Sequence, residues 1–142
     1  MKLDIKIEGK KIWINGKRAK RIKTYCTRLC YKTNKYFIKI ENEFDSGRSY
    51  FHQCRQEYRI WNKLSSEHKK YFVPIIKYVH EKKYDYIIEP VIKLRKGRRS
   101  KSSWEIIEKL ANIYRINDVL SDLPCNWFIT KKGSPIFLDY GV

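Results

Sequence analysis

The stretch Tyr36-Phe37-Ile38-Lys39-Ile40 combines aromatic and β-branched residues with one internal lysine. This composition predicts a short strand that is apolar over most of its length. A lysine inside such a strand is unusual, because an ammonium group is costly to bury unless an anion is paired with it.

The helix predicted to follow this strand, from about Ser49 to Leu64, carries a candidate anion. Its apolar residues recur three and four positions apart and form one stripe. The stripe consists of Phe51, Cys54, Tyr58, Trp61 and Leu64. Glu57 lies at the edge of the stripe, so its carboxylate is expected to point towards the core and to need a cationic or hydrogen-bonding partner there.

Strand and turn signals surround these two elements. Residues 3–8 alternate, residues 12–14 are apolar, and Asn15-Gly16 after them predicts a hairpin, since both residue types tolerate positive φ. Residues 21–31 alternate as one further strand. Residues 75–80 and 84–89 predict two more strands, and Pro90 is expected to stop the second.

The rest of the chain predicts one helix and a closing hairpin. Ser102 and Glu105 have the spacing of a capping box, which places the helix start there and its end near Asn117. Its predicted buried face consists of Ile106, Ile107, Leu110, Ala111, Ile113 and Tyr114. Residues 127–130 and 135–139 flank a turn at residues 131–134 and form the hairpin.

The composition indicates one folded domain that favours anionic partners. Of its 142 residues, 42% are hydrophobic and 15% aromatic, so the chain is not a disordered basic tail. The 32 Lys and Arg residues exceed the 15 Asp and Glu residues, which gives a net charge of +17. Nucleic acid, a nucleotide, an anionic membrane face and an acidic protein all fit this charge. The length excludes a large two-lobed enzyme.

Signals for membrane insertion, secretion and zinc binding are weak. No uncharged apolar run approaches the roughly eighteen residues of a spanning helix, and residues 1–4 have no apolar signal core. A soluble, cytoplasmic protein without a membrane partner is therefore expected. The 4 cysteines and 3 histidines lack the paired spacing of a zinc site, so reduced thiols are expected.

Taken in order, the predicted elements resemble the protein kinase-like fold. The order is a strand with Lys39, a helix with Glu57, two strands ending at Glu89-Pro90, a helix, and a hairpin ending in Asp139-Tyr140-Gly141. The separations also resemble that fold: 18 residues from Lys39 to Glu57, 50 from Lys39 to Glu89, and 13 from Asn126 to Asp139. The resemblance runs from about residue 20 onwards and is closest to the very small kinase-like proteins encoded by bacteriophages.

The resemblance implies an α+β fold in one minimal domain, with a sheet-rich N-lobe (residues 1–90) and a reduced C-lobe (residues 91–142). The N-lobe is an antiparallel sheet plus one helix, and the C-lobe holds one main helix and a catalytic-loop hairpin after a hinge. ATP and Mg²⁺ are the implied ligands, because phosphoryl transfer depends on neutralising phosphate charge. The implied nucleotide-binding residues are Lys39 paired with Glu57, the hinge backbone from Glu89 to Val91, and Arg28. The implied metal ligands are Asn126 and Asp139, and the implied base is Asp122, with Asp118 as the alternative.

Three features depart from the kinase pattern. Residues 23–28, at the position of the glycine-rich phosphate loop, contain no glycine, and Arg28 is the residue whose charge can compensate. Neither Asp122 nor Asp118 has a histidine two positions before it, so the usual His-x-Asp signature is missing. The sequence contains no activation segment or large helical lobe, so ordinary peptide phosphorylation is not expected.

Three functions follow as alternatives. The first is a minimal kinase-like protein, viral or phage in origin, that binds ATP with Mg²⁺ and transfers phosphate to a protein or a small molecule. The second is an inactive pseudokinase that binds and inhibits a host protein. The third is a nucleic-acid-binding protein that uses a basic segment near Trp104, although a solvated loop is the simpler interpretation. The cations of this segment are Lys93, Arg95, Lys96, Arg98, Arg99 and Lys101.

Overall fold

The structure, a computed structural model, describes residues 3–22, 28–42, 53–81, 84–96, 99–116 and 127–140. These residues form three antiparallel sheets, two α-helices and one short 3₁₀-helix. The α+β class with antiparallel sheets, expected from the sequence, is confirmed.

The first sheet is a three-stranded meander of β1 (Ile5–Glu8), β2 (Lys11–Ile14) and β3 (Lys17–Arg18). Asn15 and Gly16 connect β2 to β3 with φ angles of 51° and 78°. The Asn-Gly hairpin prediction is thus confirmed, because a tight turn of this kind needs positive φ at both central residues.

The second sheet has five antiparallel strands in the order β4-β5-β6-β8-β7. Their bounds are β4 (Lys20–Ile22), β5 (Leu29–Lys32), β6 (Tyr36–Asn42), β7 (Lys77–His80) and β8 (Tyr84–Pro90). The prediction of one strand over residues 21–31 is wrong, because the chain reverses there and β4 pairs with β5, Lys20 lying opposite Lys32. Strand β8 includes Pro90, which was expected to follow it.

Helix α1 (Gln53–Lys63) lies between β6 and β7 in the chain. Its buried residues are Cys54, Glu57 and Ile60, so the buried face is rotated from the predicted stripe. Tyr58 is 37% exposed, and Glu57 lies at the centre of the buried face instead of at its edge. Residues 49–52, including the predicted stripe residue Phe51, lie outside the described residues. A 3₁₀-helix (Lys69–Tyr71) follows α1.

Helix α2 (Lys101–Tyr114) begins after Ser100, whose side chain accepts a 3.1 Å hydrogen bond from the backbone N–H of Ser103. The predicted capping box that starts at Ser102 is therefore wrong by two residues. Arg115 ends the helix in the left-handed conformation, with φ of 56°. Of the predicted buried face, Ile107, Leu110 and Ala111 are buried, whereas Ile113 is 50% exposed.

The closing hairpin is confirmed as β9 (Trp127–Ile129) paired antiparallel with β10 (Pro135–Phe137). The preceding basic segment runs beside it, because the Arg95 N–H donates to the Ile129 carbonyl at 2.7 Å and the Lys131 N–H donates to the Lys93 carbonyl at 3.1 Å. The backbone of this loop is thus fixed to the hairpin.

The five-stranded sheet lies between two apolar clusters. One face, with Ile38, Ile40, Tyr86 and Ile88, packs against the three-stranded sheet. The other face packs, through Ile87, against α1, α2 and the hairpin. Neither helix of the described residues is long and apolar enough to span a membrane.

Candidate functional site

Strand alternation places three charged residues on the face of the five-stranded sheet that α1 covers. Lys39 in β6 is the cross-strand partner of Cys30 in β5 and of Ile87 in β8. Residues two apart in a strand point to the same side. Arg28, two residues before Cys30, and Glu89, two residues after Ile87, therefore lie on the same face as Lys39.

Helix α1 places Glu57 against this face. The Glu57 side chain is fully buried, and both of its carboxylate oxygens lie 3.3 Å from Lys39 Nζ. Its Oε1 atom also forms an ion pair with Arg28 Nη2 and accepts a 3.4 Å hydrogen bond from the Tyr140 N–H. Glu57 thus connects β6, the residue before β5, helix α1 and the segment after the hairpin.

Residues 138–140, which follow β10, complete the site. Lys39 Nζ donates to the Leu138 carbonyl and lies 3.3 Å from Glu89 Oε2. Asp139 Oδ1 lies 2.7 Å from Arg28 Nη2. We call the set Arg28, Lys39, Glu57, Glu89 and Asp139 the ionic cluster. Its members come from five separate parts of the chain, and Arg28 and Asp139 are 111 positions apart in sequence.

Burial and mutual attraction set the charges of the ionic cluster. Burial would lower the pKa of Lys39 and of Arg28, but the neighbouring carboxylates raise both above their ordinary values, so both residues stay cationic. Burial raises the pKa of Glu89 to about 8. Burial also raises the pKa of Glu57, while Arg28 and Lys39 act in the opposite direction. Glu89 is therefore largely protonated at neutral pH.

Two further residues of this site were missed by the sequence interpretation. Cys54 Sγ accepts a 3.6 Å hydrogen bond from Arg28 Nη1, and burial raises the pKa of the Cys54 thiol far above its ordinary value. Glu41 is buried and accepts a hydrogen bond from the Cys54 N–H in the first turn of α1, where a carboxylate is favoured. The available signal was the two-residue spacing of Glu41 from Lys39 in one strand.

The other predicted nucleotide-binding residues, Arg28 and Val91, already contact other groups of the protein. Arg28, expected to compensate for the missing glycines, is only 4% exposed and lies inside the ionic cluster. At the expected hinge, the Val91 N–H already donates to the Lys35 carbonyl at 3.1 Å. The candidate bases Asp122 and Asp118 and the candidate metal ligand Asn126 lie outside the described residues.

The basic segment is partly engaged by the rest of the protein. Lys93, Arg95 and Lys96 have exposed side chains, and Arg95 Nη2 donates to the Lys131 carbonyl at 3.1 Å. The Arg99 guanidinium lies 4.6 Å from the centroid of the Trp127 ring, and Lys101 is the first residue of α2. Arg98 lies outside the described residues.

Within the described ranges, no group of three His, Cys, Asp or Glu side chains is arranged to hold a metal ion. Asp139 is the described member of the predicted metal pair, and Arg28 contacts its carboxylate. The sequence matches no protein-family model, and no curated protein matches it at a significant level.

Proposed function

We propose that this chain is a minimal kinase-like protein that binds ATP with Mg²⁺ at the ionic cluster and transfers phosphate to a protein or small molecule. One observation carries the proposal: Lys39, Glu57 and Asp139, distant in sequence, converge on one buried site. These are the residues to which the kinase resemblance gives the phosphate-binding, lysine-positioning and metal-binding roles.

Each residue has a task that its chemistry suits. Glu57 fixes the Lys39 ammonium, which is the cation for the nucleotide phosphates. Asp139, with Asn126, supplies carboxylate and amide oxygens of the kind that Mg²⁺ prefers. The metal neutralises phosphate charge when it is bound. The side chain of Asp139 is 14% exposed, the most accessible carboxylate of the ionic cluster, so it suits a ligand that arrives from solvent.

Arg28 has a gating role in this proposal. It contacts both Glu57 and Asp139, so its guanidinium occupies the position of a counter-ion to the metal-binding carboxylate. A phosphate group offers Arg28 an alternative charge-assisted partner. Binding of Mg-ATP therefore requires Arg28 to exchange Asp139 for phosphate, and adenine recognition by the Val91 N–H requires its bond to Lys35 to open.

The second candidate is a pseudokinase that acts by binding a host protein, and a specific observation favours it. Arg28 and Lys39 are each 4% exposed, and every member of the ionic cluster contacts another member. Such a fully paired cluster can be purely structural. In that case the site holds the fold together and binds no nucleotide.

Thermal unfolding with Mg-ATP and with Mg-tripolyphosphate separates the two candidates. Saturation at about 100 times Kd stabilises the fold by about 2.7 kcal/mol, which is a rise in Tm of roughly 5–10 °C. We expect this rise with Mg-ATP, a smaller rise with tripolyphosphate, and no difference between the two ligands in Asp139→Asn. Transfer of γ-phosphate is then followed by product analysis.

The control is Lys77→Met, which removes an exposed lysine of the same sheet and should keep the full ATP effect. Lys39→Met should lose the effect, and Asp139→Asn remains informative if Lys39→Met is too unstable. Equal shifts with ATP and tripolyphosphate in the unmodified protein contradict the first proposal and favour the pseudokinase.

A further inference from the structure

A groove of about 670 Å³ lies between β3 and the β4 edge of the five-stranded sheet. Its described lining residues are Lys17, Arg18, Lys20, Arg21, Ile22, Lys32, Thr33 and Asn34. Five of these eight residues are cations, none is acidic, and Ile22 is the one apolar residue among them. We call this surface the basic groove; it shares no residue with the ionic cluster or with the basic segment.

The path of the chain creates the basic groove. Ala19 is buried, and its N–H donates to the Ile12 carbonyl at 2.8 Å. The next residue, Lys20, already pairs with Lys32 in the five-stranded sheet. A single residue therefore separates the two cation pairs, Lys17-Arg18 and Lys20-Arg21, so four cations flank one change of sheet.

The charges in the basic groove are uncompensated by the described part of the protein. Lys20 and Lys32 are direct cross-strand partners, and like charges at such positions destabilise a sheet. None of the groove's five cations forms an ion pair with any described residue. A bound polyanion would relieve this repulsion, and the net charge of +17 would speed its approach.

We propose that the basic groove binds the phosphodiester backbone of a nucleic acid. Five of the eight lining residues are cations and none is aromatic, whereas the cores of protein interfaces are depleted in charged residues and rich in aromatic ones. A nucleic-acid strand fits, because cation-lined grooves that follow the backbone are the usual binding surface for single strands.

The dimensions and a nearby aromatic residue agree with this occupant. Residues 17–21 span at most about 14 Å, which corresponds to about four base-pair rises of 3.4 Å along a duplex. Trp13 is the cross-strand partner of Arg18, so the two side chains share a face. The indole of Trp13 therefore lies on the same side of its sheet as Arg18, with Lys6 Nζ 5.4 Å from its ring centroid, and a base can stack on an aromatic ring of this kind.

The test is the salt dependence of binding to a fluorescent oligo(dT) 16-mer and to a 16-base-pair duplex. The groove variant is Lys17→Gln, Lys20→Gln, Lys32→Gln. The matched control is Lys63→Gln, Lys77→Gln, Lys109→Gln, which removes the same charge at exposed positions elsewhere. A second control neutralises Lys93, Arg95 and Lys96 of the basic segment.

Loss of three phosphate contacts lowers the magnitude of the log K versus log salt slope for oligo(dT) by about 2, which is roughly a hundredfold loss of affinity at 0.1 M salt. We expect this loss in the groove variant, a much smaller one in both controls, and an unchanged Tm. A larger loss on oligo(dT) than on the duplex, or the reverse, identifies the form that is bound.

Three outcomes would overturn the proposal. Equal losses in the groove variant and the matched control would show attraction by net charge alone. A loss confined to the basic-segment variant would place the nucleic-acid contact there. Groove-dependent binding of polyglutamate or of anionic phospholipid vesicles, with oligonucleotide binding unchanged, would assign the surface to an acidic protein or to a membrane.

Discussion

Replacement of Lys39 by Met tests whether the ionic cluster is buried and paired. The change removes an ammonium that contacts Glu57, Glu89 and the Leu138 carbonyl. Removing one partner of a buried ion pair usually costs about 3–5 kcal/mol, because the remaining charge stays buried without compensation.

Two features of the structure place the expected cost at the lower end of this range. Glu57 keeps its ion pair with Arg28 and its hydrogen bond from the Tyr140 N–H. Glu89 takes up a proton easily, because burial already raises its pKa to about 8. We therefore expect Lys39→Met to lower the free energy of unfolding at pH 7 by about 3 kcal/mol, and Tm by roughly 10 °C.

Urea unfolding followed by tryptophan fluorescence measures this cost. Lys77→Met, at an exposed position of β7, is the control and should change stability by less than about 0.5 kcal/mol. In the folded unmodified protein Glu89 ionises near pH 8, whereas without Lys39 it keeps its proton to higher pH. The loss of stability caused by Lys39→Met should therefore grow above pH 8. A cost below about 1 kcal/mol, or one equal to that of Lys77→Met, would refute the burial and pairing of Lys39.

Two further predictions concern Glu89 and the start of α2. Folded Glu89 holds a proton that the unfolded chain releases near pH 4.5, so stability should fall as pH rises from about 5 to about 8, by at most about 1.4 kcal/mol per pH unit. Glu89→Gln should remove this slope in urea titrations at pH 5.5, 7 and 8.5, and an unchanged slope would exclude Glu89 as its source. Ser100→Ala should cost about 1 kcal/mol, through loss of the helix cap, and Ser102→Ala much less. Equal thermal shifts would contradict the cap at Ser100.

Local signals predicted most of the elements, and their limits explain the errors. The Asn15-Gly16 turn and the hairpin at residues 127–137 depend on neighbouring residues alone, so sequence pattern was sufficient. The reversal between β4 and β5 was missed because residues 23–27 contain no Gly, Pro or Asn that would signal a turn. Alternation simply continued across them.

The buried face of α1 could not be predicted from hydrophobicity. Glu57 lies at its centre because cations from β6 and from Arg28 compensate its charge, and these partners are distant in sequence. Tyr58 instead packs against Tyr78 of β7, with ring centroids 4.8 Å apart and the ring planes tilted by 32°, at a partly exposed position. A buried acid whose partners are non-local gives no periodic signal in its own helix.

The candidate site likewise contains residues that the sequence predicted and residues that it did not. Lys39, Glu57 and Asp139 were selected by their order and spacing, and the structure brings them together. The position of Arg28 between Glu57 and Asp139 was not predicted, because it depends on how β5 pairs with β6. Glu41 was not predicted as a site residue, because its partner, the Cys54 N–H, belongs to a helix that begins later in the chain.

The hydrogen bond between Lys39 and the Leu138 carbonyl also bears on how the protein is made. It spans 99 residues, which a ribosome adds in roughly 5–20 s. Throughout that interval the nascent sheet lacks the Leu138 carbonyl, the Tyr140 N–H and the Asp139 carboxylate. Glu57 and Lys39 must then be hydrated or paired incompletely, and the sheet face under α1 cannot close. The nascent chain therefore depends on residues 138–140, which are synthesised late, to complete its most polar interior. Until these residues have been added, the chain is exposed to proteases and chaperones.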